Sequence, residues 1–249
     1  DSNGDIVDYL NGREDLENKV IRTVDDAYKS FSDDALRILR AIRFATILDF
    51  KLSDEVVDAI KKTKDLVGNL SYYRKKSELD KIFTSSNRKL GVSLLLEFGL
   101  DEVLELPNLS KILETNTTSL IGVWSILDVV DKYPFNKNES SLIKDISKVI
   151  PLNNLDPMVL YTYGLYVNSI AGSIKGMDKK TITESYNGLV IHYKRDLNIS
   201  CEDILKALNK KAGKYLKDIY EDLIHEVLYR RVPNDREELI KYVLNKYGE

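Results

Sequence analysis

Residues 31–45 read FSDDALRILRAIRFA, and their pattern recurs through much of the chain. Leucine and isoleucine return every three or four residues, which predicts an amphipathic helix with Ser32 as its N-cap. Asp33 and Asp34 would then lie in the first turn, where acidic side chains suit the positive end of the helix dipole. On such a helix, Asp34 and Arg37 are neighbours on one face because they are three residues apart.

The rest of the sequence predicts an all-α fold. Only 12 glycines and 5 prolines interrupt 249 residues, so long helices are expected. Ser53 and Ser71 are predicted N-caps, and Gly99 is a predicted helix stop. One stretch, residues 4–12, has the character of a short strand. Further helices are predicted over Gly91–Phe98, Ser119–Tyr133, Ser140–Val149, Asp156–Ser173, Lys179–Tyr193, Ser200–Leu208, Lys214–Tyr229 and Asp235–Tyr247.

Composition excludes several classes of protein. The single cysteine, Cys201, rules out an internal disulfide framework. The two histidines, His192 and His225, lie far apart without a second ligand at zinc-binding spacing. No apolar run approaches the roughly 20 residues of a membrane span. We therefore expect a cytoplasmic protein.

The charge balance argues against a uniformly basic nucleic-acid clamp, because the sequence has 37 Lys and Arg but 40 Asp and Glu and therefore a net charge of −3. Local basic clusters remain, and each is either a solvated helix face or an RNA contact. They are Lys61–Lys64, Arg74–Lys76, Lys179–Lys180, Lys206–Lys217 and Arg230–Arg231.

The pairing of Asp34 with Arg37 has a chemical meaning beyond helix stability. A carboxylate accepts hydrogen bonds and a guanidinium donates them, so together they complement the Watson–Crick edge of cytosine or adenine. Uracil and guanine would present a carbonyl to the carboxylate and be rejected. The alternative is an ordinary ion pair on a helix surface.

The residues around this pair resemble the neck region of class II CCA-adding tRNA nucleotidyltransferases and bacterial poly(A) polymerases. Tyr9–Asn11, Ser30 and Asp33 depart from the usual residues of that family. The positions that carry the resemblance are Asp8, Gly12, Ile21–Val24, Phe31, Asp33, Asp34, Leu36, Arg37, Arg40, Ala41, Arg43 and Phe44.

The resemblance continues downstream, although residues 110–190 match only in helical character. The tail-like segments resemble the Gram-positive type of CCA-adding enzyme and favour CCA addition over poly(A) synthesis. The matching segments are Leu70–Arg74, Glu78–Ile82, Gly91–Leu104, Asp203–Leu205, Ala212–Gly213 and Pro233–Asp235.

The resemblance implies an elongated, all-α arrangement of neck, body and tail after a short strand-like remnant of an α/β head. The expected divisions are 1–24 for the head remnant, 25–105 for the neck, 106–195 for the body and 196–249 for a tRNA-binding tail.

The same resemblance implies that Asp34 and Arg37 select CTP and ATP by their bases, with Arg40 and Arg43 completing the nucleotide site. For Arg43 a second role stays open, that of a buried arginine bracing a carboxylate. Arg74 and Glu78 are expected to form a structural ion pair four residues apart.

No catalytic residue is expected in this chain. Nucleotidyl transfer needs metal-bound carboxylates, and the family's Asp-x-Asp pair is absent from the sequence. Asp15-Leu16-Glu17 is the nearest approach and is predicted to be an acidic helix start. Mg²⁺ is therefore expected in a head domain outside the chain, and the chain is expected to be inactive alone.

In the intact enzyme, tRNA, CTP and ATP would be the substrates. A poly(A) polymerase, a non-catalytic helical RNA-binding module and a helical scaffold without an RNA role remain as alternatives. Oligomeric state stays open.

Overall fold

The computed structural model describes residues 8–248, and the chain divides into two compact units, Asp1–Ser147 and Lys148–Glu249. Both units are built from helices joined by short loops and 3₁₀ turns. The all-α class predicted from the sequence is confirmed. The division into head remnant, neck, body and tail stays a prediction.

The first unit contains a helical array and one pair of very short parallel strands. The strands β1 (Val20–Ile21) and β2 (Lys51–Leu52) pair Val20 with Lys51 and Ile21 with Leu52. The helices are α1 (Gly12–Glu17), α2 (Ala27–Asp33), α3 (Leu36–Leu48), α4 (Asp54–Thr63), α5 (Tyr72–Phe83), α6 (Arg88–Glu97), α7 (Leu100–Val103), α8 (Leu120–Leu127) and α9 (Lys137–Val149), which reaches the boundary with the second unit.

The regular secondary structure of the second unit is helical within its described residues. Its helices are α10 (Pro157–Ile174), α11 (Lys179–Asn187), α12 (Cys201–Leu208), α13 (Tyr215–Leu228) and α14 (Arg236–Tyr247). Gly164 interrupts α10 with a φ of 72°, a value that glycine adopts without steric cost.

The core of the first unit forms around α3, which packs against α5 and α6. Ile38, Leu39 and Ile42 point inward and are fully buried, as the three-and-four spacing predicts. Each such side chain contributes about 1.5–3 kcal/mol by leaving water. The opposite side of α3 remains exposed at Arg37 and Arg40.

The predicted N-cap at Ser32 is wrong. Ser32 lies inside α2, where its hydroxyl donates to the Tyr28 carbonyl at 2.8 Å, and the chain then breaks at Asp34. Asp34 is extended (φ −149°, ψ 101°), and its Oδ1 accepts from the Leu36 amide at 3.1 Å. This local bond competes with a continuous helix. Asp34 therefore precedes α3, and it does not share a helix face with Arg37.

The predicted strand over residues 4–12 falls partly outside the described residues, and its described part is not a strand. The Asp8 carboxylate accepts from the Leu10 amide at 3.0 Å and the Arg13 amide at 2.7 Å, which turns the chain into α1. These backbone hydrogen bonds, chiefly that from Arg13, lower the pKa of Asp8.

Several helix ends follow the sequence signals and others stop early. Ser53 and Ser71 are N-caps, and Gly99 follows α6 with a φ of 64°, as predicted. The predicted helix to Tyr133 instead ends at Leu127, because Asp128 is left-handed. The helix predicted to reach Tyr193 ends at Asn187.

None of the helices in residues 8–248 has the length and apolar character needed to cross a membrane.

Candidate functional site

The junction between α2 and α3 meets the first turn of α5 at the carboxylate of Asp34. Arg74 Nη2 donates to Asp34 Oδ1 at 3.0 Å and to Oδ2 at 3.1 Å. The side chains of Arg74 and Asp34 are 45% and 36% exposed, so a ligand from solvent can reach the pair.

Asp34 is held in one orientation by donors from two parts of the chain. The Leu36 amide binds Oδ1, and Arg74 binds both oxygens from a segment forty residues away. A carboxylate offers about four acceptor positions. Oδ2 therefore keeps capacity for a further donor, such as an exocyclic amino group.

Arg37 lies in the first turn of α3, three residues after Asp34, and its guanidinium is oriented by α2. Its Nη1 donates to the Ser30 hydroxyl at 2.8 Å and lies 3.4 Å from the Ser30 carbonyl oxygen. A guanidinium carries five N–H donors in a planar fork. The contacts with Ser30 engage one nitrogen, so the rest of the fork remains free for a ligand.

Arg40 lies one turn further along the exposed side of α3. Its guanidinium carbon is 5.8 Å from the centroid of the Phe44 ring, and the side chain is exposed. Within residues 8–248 no carboxylate forms an ion pair with Arg40, which leaves its charge open to an anion.

Arg43 lies on the buried side of α3. It is 8% exposed, and its Nη1 donates to Glu78 Oε2 at 2.6 Å. Glu78 is 3% exposed and also accepts from Lys81 Nζ at 3.0 Å through Oε1. Of the two roles left open for Arg43, the structure places its side chain in the one that braces a carboxylate.

The predicted Arg74–Glu78 ion pair is wrong. The two residues lie four apart on α5, but each has a different partner: Arg74 reaches out to Asp34 and Glu78 points into the core toward Arg43. A buried carboxylate needs a charged partner nearby, and Arg43 supplies it.

Arg74 is the site residue that sequence reasoning missed. Its segment carries part of the family resemblance, but that signal did not reveal its partner. The pairing with Asp34 connects positions forty residues apart and depends on how α5 packs against α3.

The described residues contain no candidate metal centre. No three His, Cys, Asp or Glu side chains of residues 8–248 lie close enough together to hold a metal ion. Of the predicted acidic helix start at Asp15-Leu16-Glu17, Asp15 lies in the first turn of α1 and forms an ion pair with Arg22 at 3.2 Å, whereas Glu17 is the last residue of that helix. Within residues 8–248, the carboxylates do not form a group that fits Mg²⁺.

Two family models match the chain. The model for tRNA nucleotidyltransferase domain 2 matches residues 125–243, and the model described as "Probable RNA and SrmB-binding site of polymerase A" matches residues 49–113. Together they match parts of both compact units.

Curated relatives match almost the whole chain. The CCA-adding enzyme of Ligilactobacillus salivarius is 27% identical over 97% of the chain and 67% of its own length. The CC-adding tRNA nucleotidyltransferase of Halalkalibacterium halodurans is 27% identical over 97% of the chain and 70% of its own length. The chain therefore spans about two thirds of the length of these relatives.

Solved structures share the fold. The Bacillus stearothermophilus CCA-adding enzyme in complex with CTP has a TM-score of 0.84 at 21% identity, covering 99% of the chain and 70% of that protein. The Thermotoga maritima CCA-adding enzyme complexed with tRNA has a TM-score of 0.61 at 21% identity, covering 96% of the chain and 67% of that protein. At these identities the likeness establishes the fold.

Proposed function

We propose that the chain belongs to the family of class II CCA-adding tRNA nucleotidyltransferases. In this proposal it supplies base selection and tRNA binding to a CCA-adding enzyme. Such an enzyme transfers CMP and AMP from CTP and ATP to the 3′ end of tRNA and releases pyrophosphate. The names of the relatives and the CTP and tRNA complexes of structures with this fold support the proposal. We expect the protein to act in the cytoplasm.

The observation that carries the proposal is the accessible carboxylate of Asp34, which Arg74 holds in place, three residues before Arg37, whose guanidinium has only one nitrogen engaged by Ser30. Asp34 accepts from the exocyclic amino group of cytosine or adenine, and Arg37 donates to an acceptor on the same edge of the base. Uracil and guanine turn a carbonyl toward Asp34. Two acceptors then face each other, at a cost of about 1–3 kcal/mol.

The other arginines of α3 have different roles in this proposal. Arg40, exposed and without a carboxylate partner among residues 8–248, binds a phosphate of the nucleotide or of the RNA end by charge-assisted hydrogen bonds. Arg43 does not touch the nucleotide. Its buried bond to Glu78 holds α3 against α5 and so keeps Asp34 and Arg74 within reach of each other.

The chemistry of nucleotidyl transfer requires metal-bound carboxylates. Residues 8–248 contain no cluster that fits Mg²⁺, and we assign the metal to a part of the enzyme other than these residues. The role of the described residues is to bind and orient the substrates.

Replacement of Asp34 tests base selection. The protein from the complete gene is incubated with tRNA lacking its 3′ CCA and with each of the four nucleotides. We expect Asp34→Ala to reduce the preference for CTP over UTP by about 10- to 100-fold, because the variant loses one hydrogen bond to a charged group. Asp33→Ala, which removes the neighbouring exposed acid, is the matched control. Unchanged selection in Asp34→Ala would exclude this role.

A poly(A) polymerase is the second candidate, and the match of residues 49–113 to a polymerase A model favours it. The products distinguish the candidates. A CCA-adding enzyme extends the tRNA by two residues with CTP alone and completes it when ATP is added. A CC-adding enzyme stops after two residues, and a poly(A) polymerase adds only A.

A further inference from the structure

The loop between α12 and α13, residues 209–214, concentrates positive charge on the second unit. We name it the lysine loop; its sequence is NKKAGK. Lys210, Lys211 and Lys214 are all exposed. Within the described part of the chain, no carboxylate lies within ion-pair distance of their amino groups.

Several exposed lysines elsewhere in the second unit each form an ion pair with a nearby acid. The loop is different from the helices that flank it, because its charge faces solvent without a counter-charge. The paired lysines are Lys206 with Glu202 at 2.7 Å, Lys217 with Glu221 at 3.6 Å, Lys180 with Glu184 at 3.7 Å and Lys241 with Glu238 at 3.8 Å.

The backbone of the lysine loop is fixed by its neighbours. Asn209 ends α12 in a left-handed conformation (φ 49°), and the Lys210 amide donates to the Leu205 carbonyl at 3.3 Å. The Tyr215 hydroxyl donates to the Lys211 carbonyl at 2.8 Å. Gly213 lies against the Tyr215 ring, since a Cβ there would be 3.1 Å from two ring carbons. A fixed backbone lowers the entropy lost when the lysines bind a partner.

Further cations and aromatic rings lie near the middle of α13. Tyr220 is five residues beyond Tyr215, about 7.5 Å along the helix axis, and Lys194 Nζ is 3.7 Å from the centroid of its ring. Arg195 stands 4.9 Å from the ring of Tyr193, which is exposed. Lysine and arginine interspersed with tyrosine is a combination that suits RNA, because phosphates bind the cations and bases stack on the rings.

We propose that the lysine loop binds the sugar-phosphate backbone of tRNA, with Lys210, Lys211 and Lys214 each contacting a phosphate. This inference rests on the proposed function and adds the residues by which the second unit holds its RNA. Lysine is a mobile point charge that contacts phosphates without reading sequence. The loop therefore suits a partner whose sequence varies and whose backbone does not.

The test compares two triple variants of the full protein that lose the same charge. Lys210→Gln/Lys211→Gln/Lys214→Gln removes the loop cations, and Lys144→Gln/Lys180→Gln/Lys241→Gln removes lysines that pair with acids. Affinity for tRNA lacking CCA is measured over a series of salt concentrations. Each phosphate contact contributes about 0.7–0.9 to the slope of log affinity against log salt, so the loop variant should lower that slope by about 2–3. At about 0.1 M salt it should bind roughly 10- to 100-fold more weakly.

The control variant should bind as the unaltered protein does, and Lys→Arg at the three loop positions should retain affinity. Equal affinity and slope in the loop variant would overturn the proposal, as would equal weakening in both Gln variants. Circular dichroism checks that each variant is folded. Absence of tRNA binding by the unaltered protein would contradict the proposed function itself. If the loop variant keeps both its base selection and its affinity for tRNA, the proposed function stands and only this inference is excluded.

Discussion

At the scale of single residues, Arg74 orients the carboxylate of Asp34. Its Nη2 lies 3.0 and 3.1 Å from the two carboxylate oxygens, and without it only the Leu36 amide would orient the group. We expect Arg74→Ala to lower kcat/KM for CTP by about 10- to 100-fold, because a hydrogen bond between charged groups contributes about 1.5–3 kcal/mol.

The matched control for Arg74 is Lys76→Ala, two residues along α5, which removes an ion pair with Asp80 instead. Arg74→Lys should retain part of the activity, since it keeps the charge but loses the planar fork. Steady-state kinetics with CTP and UTP measures both the rate and the selectivity. If Arg74→Ala discriminates between CTP and UTP as the unaltered protein does, Asp34 does not need Arg74 to orient it.

The buried pair of Arg43 and Glu78 should matter for stability. The two groups are 8% and 3% exposed and 2.6 Å apart. Removing one partner leaves an uncompensated buried charge, so we expect Arg43→Met to lower the free energy of unfolding by about 3–5 kcal/mol, measured by urea denaturation. Arg43→Met/Glu78→Leu should recover most of that loss.

Lys81→Gln is the comparison for this pair, because it removes the exposed partner of Glu78 and should cost less than about 1 kcal/mol. If Arg43→Met unfolds no more easily than Lys81→Gln, the buried pair is not what holds α3 to α5.

At the scale of elements, the sequence predicts where helices bury their faces better than where they break. The apolar spacing of α3 predicts the burial of Ile38, Leu39 and Ile42 because burial on a helix follows local periodicity. The break at Asp34 escaped prediction, since a continuous and an interrupted helix have the same apolar spacing there. Its extended conformation depends on a bond to the Leu36 amide and on Arg74, forty residues away.

Long-range pairings explain the rest of what the sequence did not predict. Strands β1 and β2 contain two residues each and pair across about thirty positions, too short for any alternation to be visible. Glu78 forms an ion pair with Arg43, thirty-five residues away, and not with Arg74 on its own helix. The sequence identified Asp34, Arg37 and Arg40 as candidate residues, and packing determines the partners of Asp34 and Arg37.

The contact between α13 and α14 should make stability depend on pH. Asp222 on α13 accepts from the hydroxyls of Tyr242 and Tyr247 at 2.9 Å each and from Lys246 Nζ at 2.8 Å. Burial alone would raise the pKa of Asp222, but these hydrogen bonds outweigh it and hold the pKa below 3.8.

A lowered folded-state pKa gives stability that is present above the unfolded value and is lost as pH falls through the folded value. We expect Asp222→Asn to unfold at a lower temperature than the unaltered protein at pH 7, and the difference to shrink below about pH 4. Glu221→Gln, next to it and exposed, is the control. A gap between the Asp222→Asn and unaltered proteins that stays constant from pH 7 to pH 3 would show that the charge of Asp222 contributes nothing.

At the scale of the whole molecule, the two compact units carry different charge and different candidate contacts. Lysine and arginine outnumber aspartate and glutamate from residue 148 onward, and the reverse holds before it. Asp34 and Arg37, the residues proposed to select the base, belong to the first unit, and the lysine loop belongs to the second. The two sets of residues do not overlap, so nucleotide selection and RNA binding should be separable by mutation.

Separability predicts how variants combine. Asp34→Ala should change the ratio of kcat/KM for CTP and UTP and leave the affinity for tRNA unaltered, and the triple Lys→Gln loop variant should do the reverse. Because the effects of independent sites add to within about 0.3–0.5 kcal/mol, the combined variant should show both defects at the size each has alone. Raising salt should weaken tRNA binding, since phosphate contacts release counterions, and leave the nucleotide ratio constant, since that ratio compares neutral base edges. If the two defects reinforce or mask each other beyond that margin, base selection depends on how the second unit holds the RNA, and Asp34 and Arg37 do not choose the nucleotide alone.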